Sequence, residues 1–211
     1  MDMKQTSTHS PSDRDIIIAA TKVTMINGRP SEVTLRNIVL RTKLSPLIIR
    51  REFASDKDMI NSAITSCIES LIELAECCQL ELDQTLLPVR RLLEFLKLYA
   101  LALFQNYPNI LLLHKISSEQ PVYPIWSQKM SQQYLSGYLL NIQKEGHQDF
   151  FDADALCWRL GSYAIALHNE CQNSECINSD HVHSIYQDFI HRLEREFRYL
   201  LMREQNELVK P

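Results

Sequence analysis

Four sets of side chains in this sequence have types and spacings that could do chemistry. The first is basic. Residues 14–53 hold 8 Lys and Arg against 3 Asp and Glu, a net charge of +5, on a chain whose total is −4. A basic N-terminal quarter on an acidic body points to a polyanion as the partner of that quarter. The second set is Cys171, Cys176, His181 and His183, spaced Cys-x4-Cys-x4-His-x-His. Thiolates and imidazoles are zinc or copper ligands. However, Cys-x4-Cys is wider than the commonest finger spacing, and histidines two apart on a helix face different ways. A polar loop with incidental Cys and His is the preferred reading, so no metal or other cofactor is expected. The third set is acidic: Asp152/Asp154 and Glu194/Glu196 read as a helix cap and a solvated helix face. The fourth is aromatic, with Phe95, Tyr99, Tyr134, Tyr138 and Trp158 on the middle helices. There is no HExxH, no GxSxG, no phosphate loop and no dinucleotide fingerprint. The chain is therefore not expected to be an enzyme, and an all-α enzyme of unrecognised type is the second class.

The elements that position these residues follow from composition and periodicity. Of 211 residues, 45% are apolar and 23% charged, as in a soluble globular protein. With only 4 Gly and 8 Pro, an all-β fold of many tight turns is disfavoured. No apolar run approaches the ~18 residues of a membrane helix, and the first ten residues are polar. A cytoplasmic protein is expected, with Cys67, Cys77, Cys78, Cys157, Cys171 and Cys176 as free thiols.

Residues 1–11 read as a disordered tail. Ser12-Asp13-Arg14-Asp15 fits a capping box, and Ile16, Ala20, Val23 and Asn27 continue at helical spacing until Gly28, a residue suited to a left-handed C-terminal turn. Thr34 caps a short second helix with Leu35, Ile38 and Val39 facing inward. Ser45-Pro46 opens a third, carrying Ile48, Ile49 and Phe53. Ser55-Asp56-Lys57-Asp58 opens a long fourth helix. Helical spans are also predicted at 83–105, 109–117, 120–145, from Asp152 or Asp154 to about Glu170, and over 179–206. The predicted fold is all-α with about nine helices, divided into the tail (1–11), an N-terminal domain (12–58) and a larger helical domain (59–211).

The second and third helices are about four residues apart. So short a connection forces a steep crossing and leaves the third helix protruding, which is the outline of a helix-turn-helix. Arg50 and Arg51 lie on that protruding helix and Lys43 just precedes it.

The pattern over residues 14–65 resembles the tetracycline-repressor (TetR) family of bacterial transcription regulators. The matching residues are Ala19-Ala20, Gly28, Val33-Thr34-Leu35-Arg36, Ile38-Val39, Leu44-Ser45, Ile49, Phe53, Ser55 and Met59. The Tyr107-Pro108 break and the Gly146, Phe150 and Asp152 turn fit its larger domain. The helix-turn-helix is divergent at four places. Val39 stands where the family usually has Ala, Lys43 where it has Gly, Arg50 where it has Tyr, and Asp56 where it has Lys.

The resemblance implies contact with double-stranded DNA through Thr34, Arg36, Ser45, Pro46, Leu47, Ile48, Arg50, Arg51 and Lys57. Thr34 and the amides beside it suit a phosphate. Leu47 and Ile48 can meet only apolar groups such as a thymine methyl, so Arg50 is the better candidate for guanine readout; the alternative is that all these arginines touch only phosphates. It also implies a homodimer, which reads two half-sites. The candidate interface is the stripe Val182, Tyr186, Phe189, Leu193, Phe197 and Leu200, part of which must pack inside the protomer. It further implies a small, largely apolar effector held among Phe95, Tyr99, Tyr134, Tyr138 and Trp158; the alternative for any one of them is a place in a plain core. The effector would shift the fourth helix and alter the spacing of the two recognition helices. The expected function is a ligand-responsive repressor on a palindromic operator. The competing reading is a ligand-sensing or protein-interacting dimer that no longer reads DNA.

Overall fold

The computed structural model describes residues 11–117, 122–144, 153–173 and 179–208. Among these the protein is helical throughout, and it divides into two compact units between Ser66 and Cys67. The division falls inside a continuous helix, α4 (Asp56–Glu81), rather than in a linker.

In the first unit, α1 (Asp13–Asn27) begins with the expected capping box. Ser12 Oγ accepts from the Asp15 amide at 3.2 Å, and Asp15 Oδ2 accepts from the Ser12 amide at 3.1 Å. Its buried face is Ile17, Ala20, Thr21, Thr24 and Met25, whereas Val23 is 40% exposed. The phase is thus shifted from the Ile16, Val23 and Asn27 register predicted above. Three consecutive isoleucines left that phase ambiguous. Thr21 and Thr24 tolerate burial because their hydroxyls donate to Ile17 O and Ala20 O, each at 2.8 Å. Gly28 ends α1 without a left-handed turn, at φ −135° and ψ −136°.

A 3-10 turn (Pro30–Glu32) leads into α2 (Leu35–Thr42). Then α3 (Pro46–Glu52) follows after three residues rather than four. Thr34 caps α2 and Ser45 caps α3, each accepting the amide three residues on at 3.3 Å. Only Ile38 on α2 and Ile49 on α3 are fully buried. With Ile17, Met25, Val33, Phe53 and Met59 they close a core on which α1, α2 and α3 all meet. Arg14 ties α1 to the end of α3. Its guanidinium lies 4.6 Å from the Phe53 ring centre and donates to Glu52 O at 3.1 Å.

The second unit is arranged around α5 (Pro88–Gln105), which packs against three later helices. These are α8 (Ser136–Lys144), α9 (Ala153–Asn173) and α10 (Ser179–Leu208). Eight α5 side chains are buried, from Val89 to Leu103, as a helix enclosed on several sides requires. It starts at Pro88 rather than Asp83, because Asp83 closes a turn on Thr85 instead. Asn106 separates α5 from α6 (Tyr107–Ile116). The predicted single helix over 120–145 is α7 (Val122–Met130), a π turn (Ser131–Leu135) and α8 in unbroken succession. Counted as one, that rod makes nine helices among the described residues. Gly146, Phe150 and Asp152 lie outside them, as does most of the loop that carries Cys176.

Candidate nucleic-acid interface

The α2–α3 pair presents one exposed surface built from capped helix starts and cations. Pro46 opens α3 with no amide to leave unpaired, and the Ser45 cap fixes the direction in which α3 leaves the turn. The next residue, Leu47, is 84% exposed. Single exposed apolar side chains are common at protein surfaces; Leu47 matters here for its place at the start of α3, opposite the face that holds the core through Ile49. Arg36, Ser45, Pro46, Arg50, Arg51 and Lys57 also stand at the surface of this unit, and Thr34 and Ile48 are half-buried.

The turn itself depends on a strained residue. Lys43 has φ 63° and ψ 9°, the only positive φ at a non-glycine among the described residues. Its amide donates to Val39 O at 2.9 Å and so ends α2. The residue at the family's usual glycine position therefore keeps the left-handed geometry of a glycine while adding a cation there. The strain costs roughly 1 kcal/mol.

Charge on α3 is partly compensated within the chain. Arg50 Nη2 meets Asp56 Oδ1 at 2.9 Å, and both side chains are more than a third exposed. Arg51 meets Glu52 at 3.0 Å and Asp13 at 3.5 Å. No described carboxylate forms an ion pair with Arg36, Lys43 or Lys57. Asp56, where the resemblance leads one to expect Lys, thus pairs with the very arginine that stands in place of Tyr. Exposed pairs of this kind are worth about 0–1 kcal/mol, so a phosphate or a guanine edge can replace the carboxylate.

In the second unit four of the five expected pocket residues come together. Phe95 lies 5.7 Å from Tyr99, 6.4 Å from Tyr134 and 5.3 Å from Tyr138 between ring centres. Phe95 and Tyr99 are wholly enclosed, and the Tyr99 hydroxyl donates to Leu71 O at 2.9 Å. Trp158 is instead a surface residue of α9, 41% exposed.

Along α10, Leu193 and Phe197 are buried within the protomer. Phe189 stacks on Tyr163 at 3.7 Å, and the half-buried Tyr186 donates to Lys97 O at 3.2 Å. The side chains of Val182 and Leu200 lie outside the described residues. Beside this stripe is a groove of about 270 Å³, lined by Leu96, Leu156, Leu160 and Leu193 and rimmed by Arg159, Arg192 and Glu196.

Cys77 and Cys78 are free thiols, and Cys67 Sγ donates to Asn109 Oδ1 at 3.3 Å. Burial pushes the Cys78 thiol up to about 11, the pKa of an inert core residue rather than a nucleophile. The side chains of Cys171, Cys176, His181 and His183 lie outside the described residues. Among the described residues no helix is long and apolar enough to cross a membrane.

This architecture is known. The chain superposes on a Clostridium perfringens regulator assigned to fatty acid metabolism, at 15% identity over 84% of this chain and 96% of that one, with a TM-score of 0.61. It superposes equally on a TetR-like transcriptional regulator from Rhodococcus sp. RHA1, at 13% identity over 92% and 99% of the two chains, TM-score 0.61. A third match is a ketosteroid transcriptional regulator of Mycobacterium tuberculosis, at 14% identity over 88% and 94%, TM-score 0.58. The fold is therefore that of the TetR-like transcription regulators. No protein-family model matches the sequence, and no curated protein matches it either.

Proposed function

We propose that this protein is a DNA-binding transcription regulator of the TetR type, and not an enzyme. The observation that carries the proposal is the α2–α3 pair. A three-residue turn joins the two helices, and α3 projects an exposed Leu47 with Arg50 and Arg51 behind it. The +5 charge of residues 14–53 and the fold of the solved regulators support the same reading. Thr34, Arg36, Ser45 and Lys57 position the unit on phosphates, while Arg50, released from Asp56, reads a base edge.

One such unit reads few base pairs, so the regulator acts as a homodimer on a palindromic site. Its interface lies along α9 and α10, where Tyr186 and Phe189 are only half-buried in the protomer. It is a repressor, relieved by a small effector that binds at the Phe95, Tyr99, Tyr134 and Tyr138 cluster. Two of the similar structures are described as regulators of fatty acid metabolism and of ketosteroids, which supports a largely apolar effector here.

The test is enrichment of a random duplex library on the purified protein. A palindrome with half-sites one or more helical turns apart, about 34 Å each, is expected. The second reading is a sensor dimer without DNA. It draws support from the Asp56 and Asp13 pairings of the α3 arginines, and it predicts no enrichment.

A further inference from the structure

Two helices that both pack on α5 leave a groove of about 270 Å³ between them, α9 on one side and α10 on the other, with Leu96 of α5 beneath. Leu156 and Leu160 of α9 and Leu193 of α10 continue its apolar lining, and each is buried. The stacked rings of Tyr163 and Phe189, 3.7 Å apart between centres, form one wall. A space of that size holds roughly nine water molecules at about 30 Å³ each. Water held against leucines and aromatic rings is released favourably by an apolar body of matching size. The volume lies just below the ~300–1,000 Å³ typical of ligand pockets, so that body is small.

The rim of the groove is charged. Arg159, Ser162, Arg192 and Glu196 line it and are all exposed. Arg159 Nη1 donates to Glu196 Oε2 at 2.6 Å, a bridge from α9 to α10 that engages the only carboxylate of the lining. Glu196 stands four residues after Arg192 on α10, within reach of it, yet is taken by Arg159 instead. Arg192 forms no ion pair with any described carboxylate, including Asp188 one turn before it. The groove thus joins an apolar floor to a rim with one guanidinium in excess, and the planar fork of a guanidinium matches a carboxylate through two hydrogen bonds. That combination is complementary to a molecule with an apolar body and an anionic head, and opposed to a cationic one.

We infer that the α9–α10 groove is a binding site for a small amphipathic anion, with a carboxylate or similar head on Arg192 and an apolar body over Leu96, Leu156, Leu160 and Leu193. The site is separate from the cluster of Phe95, Tyr99, Tyr134 and Tyr138, none of which lines the groove, and it stands independently of the DNA-binding reading.

The experiment is calorimetric titration of the full-length protein at neutral pH with three probes of one chain length, octanoate, octan-1-ol and octyltrimethylammonium, repeated on two variants of exposed rim residues. Octanoate binds at least tenfold more tightly than the alcohol, and the ammonium binds weakest. Arg192→Gln brings octanoate to the level of the alcohol and leaves the alcohol unchanged. Ser162→Trp, which places an indole at the mouth of the groove, weakens acid and alcohol alike by tenfold or more. Octanoate binding that neither variant alters lies elsewhere in the protein and overturns the site. Equal binding of acid and alcohol, lost for both in Ser162→Trp, overturns the anionic class of the ligand. Binding of none of the three overturns the site as well, and a shift of Ser162→Trp from dimer to monomer in sedimentation then gives the groove to a second copy of the chain.

Discussion

At the scale of single residues, the Arg50–Asp56 pair is the contact most tightly coupled to the proposed activity. Arg50 shares its guanidinium with a carboxylate at 2.9 Å, which competes with DNA for it. Replacing Asp56 by Asn frees it and also removes a charge that repels phosphate. Since an exposed pair is worth up to about 1 kcal/mol, Asp56→Asn should raise affinity for the enriched duplex by about two- to fivefold, measured by fluorescence anisotropy. Asp56→Lys should in addition steepen the salt dependence by about two units of slope, one for each protomer of the dimer. The pair that links α5 to α10 has a pH signature instead. Lys97 Nζ meets Glu194 at 2.7 Å and Glu94 at 3.1 Å. Burial lowers the Lys97 pKa, but its two glutamate hydrogen bonds outweigh that and leave it raised. The hydrogen bond from Lys97 lowers the Glu194 pKa. The lowered carboxyl contributes stability above its unfolded pKa, and that contribution is lost as pH falls through its folded pKa. The raised ammonium contributes below its unfolded pKa and stops contributing as pH rises past its folded pKa. Glu194→Gln should thus cost about 1 kcal/mol in urea unfolding at neutral pH. The difference should shrink as pH falls below the ordinary glutamate range and vanish only under the lowered folded pKa, where the carboxyl is protonated in both states.

At the scale of elements, the turn between α2 and α3 is where sequence and geometry conflict. Lys43 holds a left-handed conformation that costs roughly 1 kcal/mol. Lys43→Gly removes that strain and adds unfolded-chain entropy of about 0.5–1 kcal/mol. Its stability should match or exceed the natural sequence by up to about 1 kcal/mol. Lys43→Val, β-branched and intolerant of positive φ, should lose about 1 kcal/mol or more. Caps carried most of the helix starts that were legible in the sequence. Ser12, Thr34, Ser45 and Ser55 each accept the amide predicted for them. Starts without a side-chain cap were not legible: α5 begins at Leu87-Pro88, where no side chain caps the helix. The π turn was invisible too, because an extra residue in a helix leaves the apolar spacing nearly intact. Phase within α1 was misjudged because buried threonines satisfy themselves locally and so look polar to a periodicity argument.

For the whole molecule, the all-α class followed from few breakers, helical periodicity and successive caps, and the short α2–α3 connection was readable from Thr42 to Pro46. The site was legible only in part. The aromatic cluster was found by residue type, yet Trp158 proved to be a surface residue. Along α10, Leu193 and Phe197 belong to the protomer core. Phe197→Ala should therefore cost about 3–5 kcal/mol of stability, read by denaturant unfolding, and should not behave as a clean interface variant.

The most direct test of the central claim is the salt dependence of binding to the duplex enriched from the random library. If α2, α3 and the start of α4 lie on phosphates from both half-sites, log K should fall linearly with log salt, at a slope steeper than about −3, since each contacted phosphate contributes about −0.9. Arg51→Ala should flatten that slope by close to two units, one for each protomer of the dimer. A protein from which no duplex is enriched, or whose weak binding ignores both salt and Arg51, would contradict the account and move the function to the second unit.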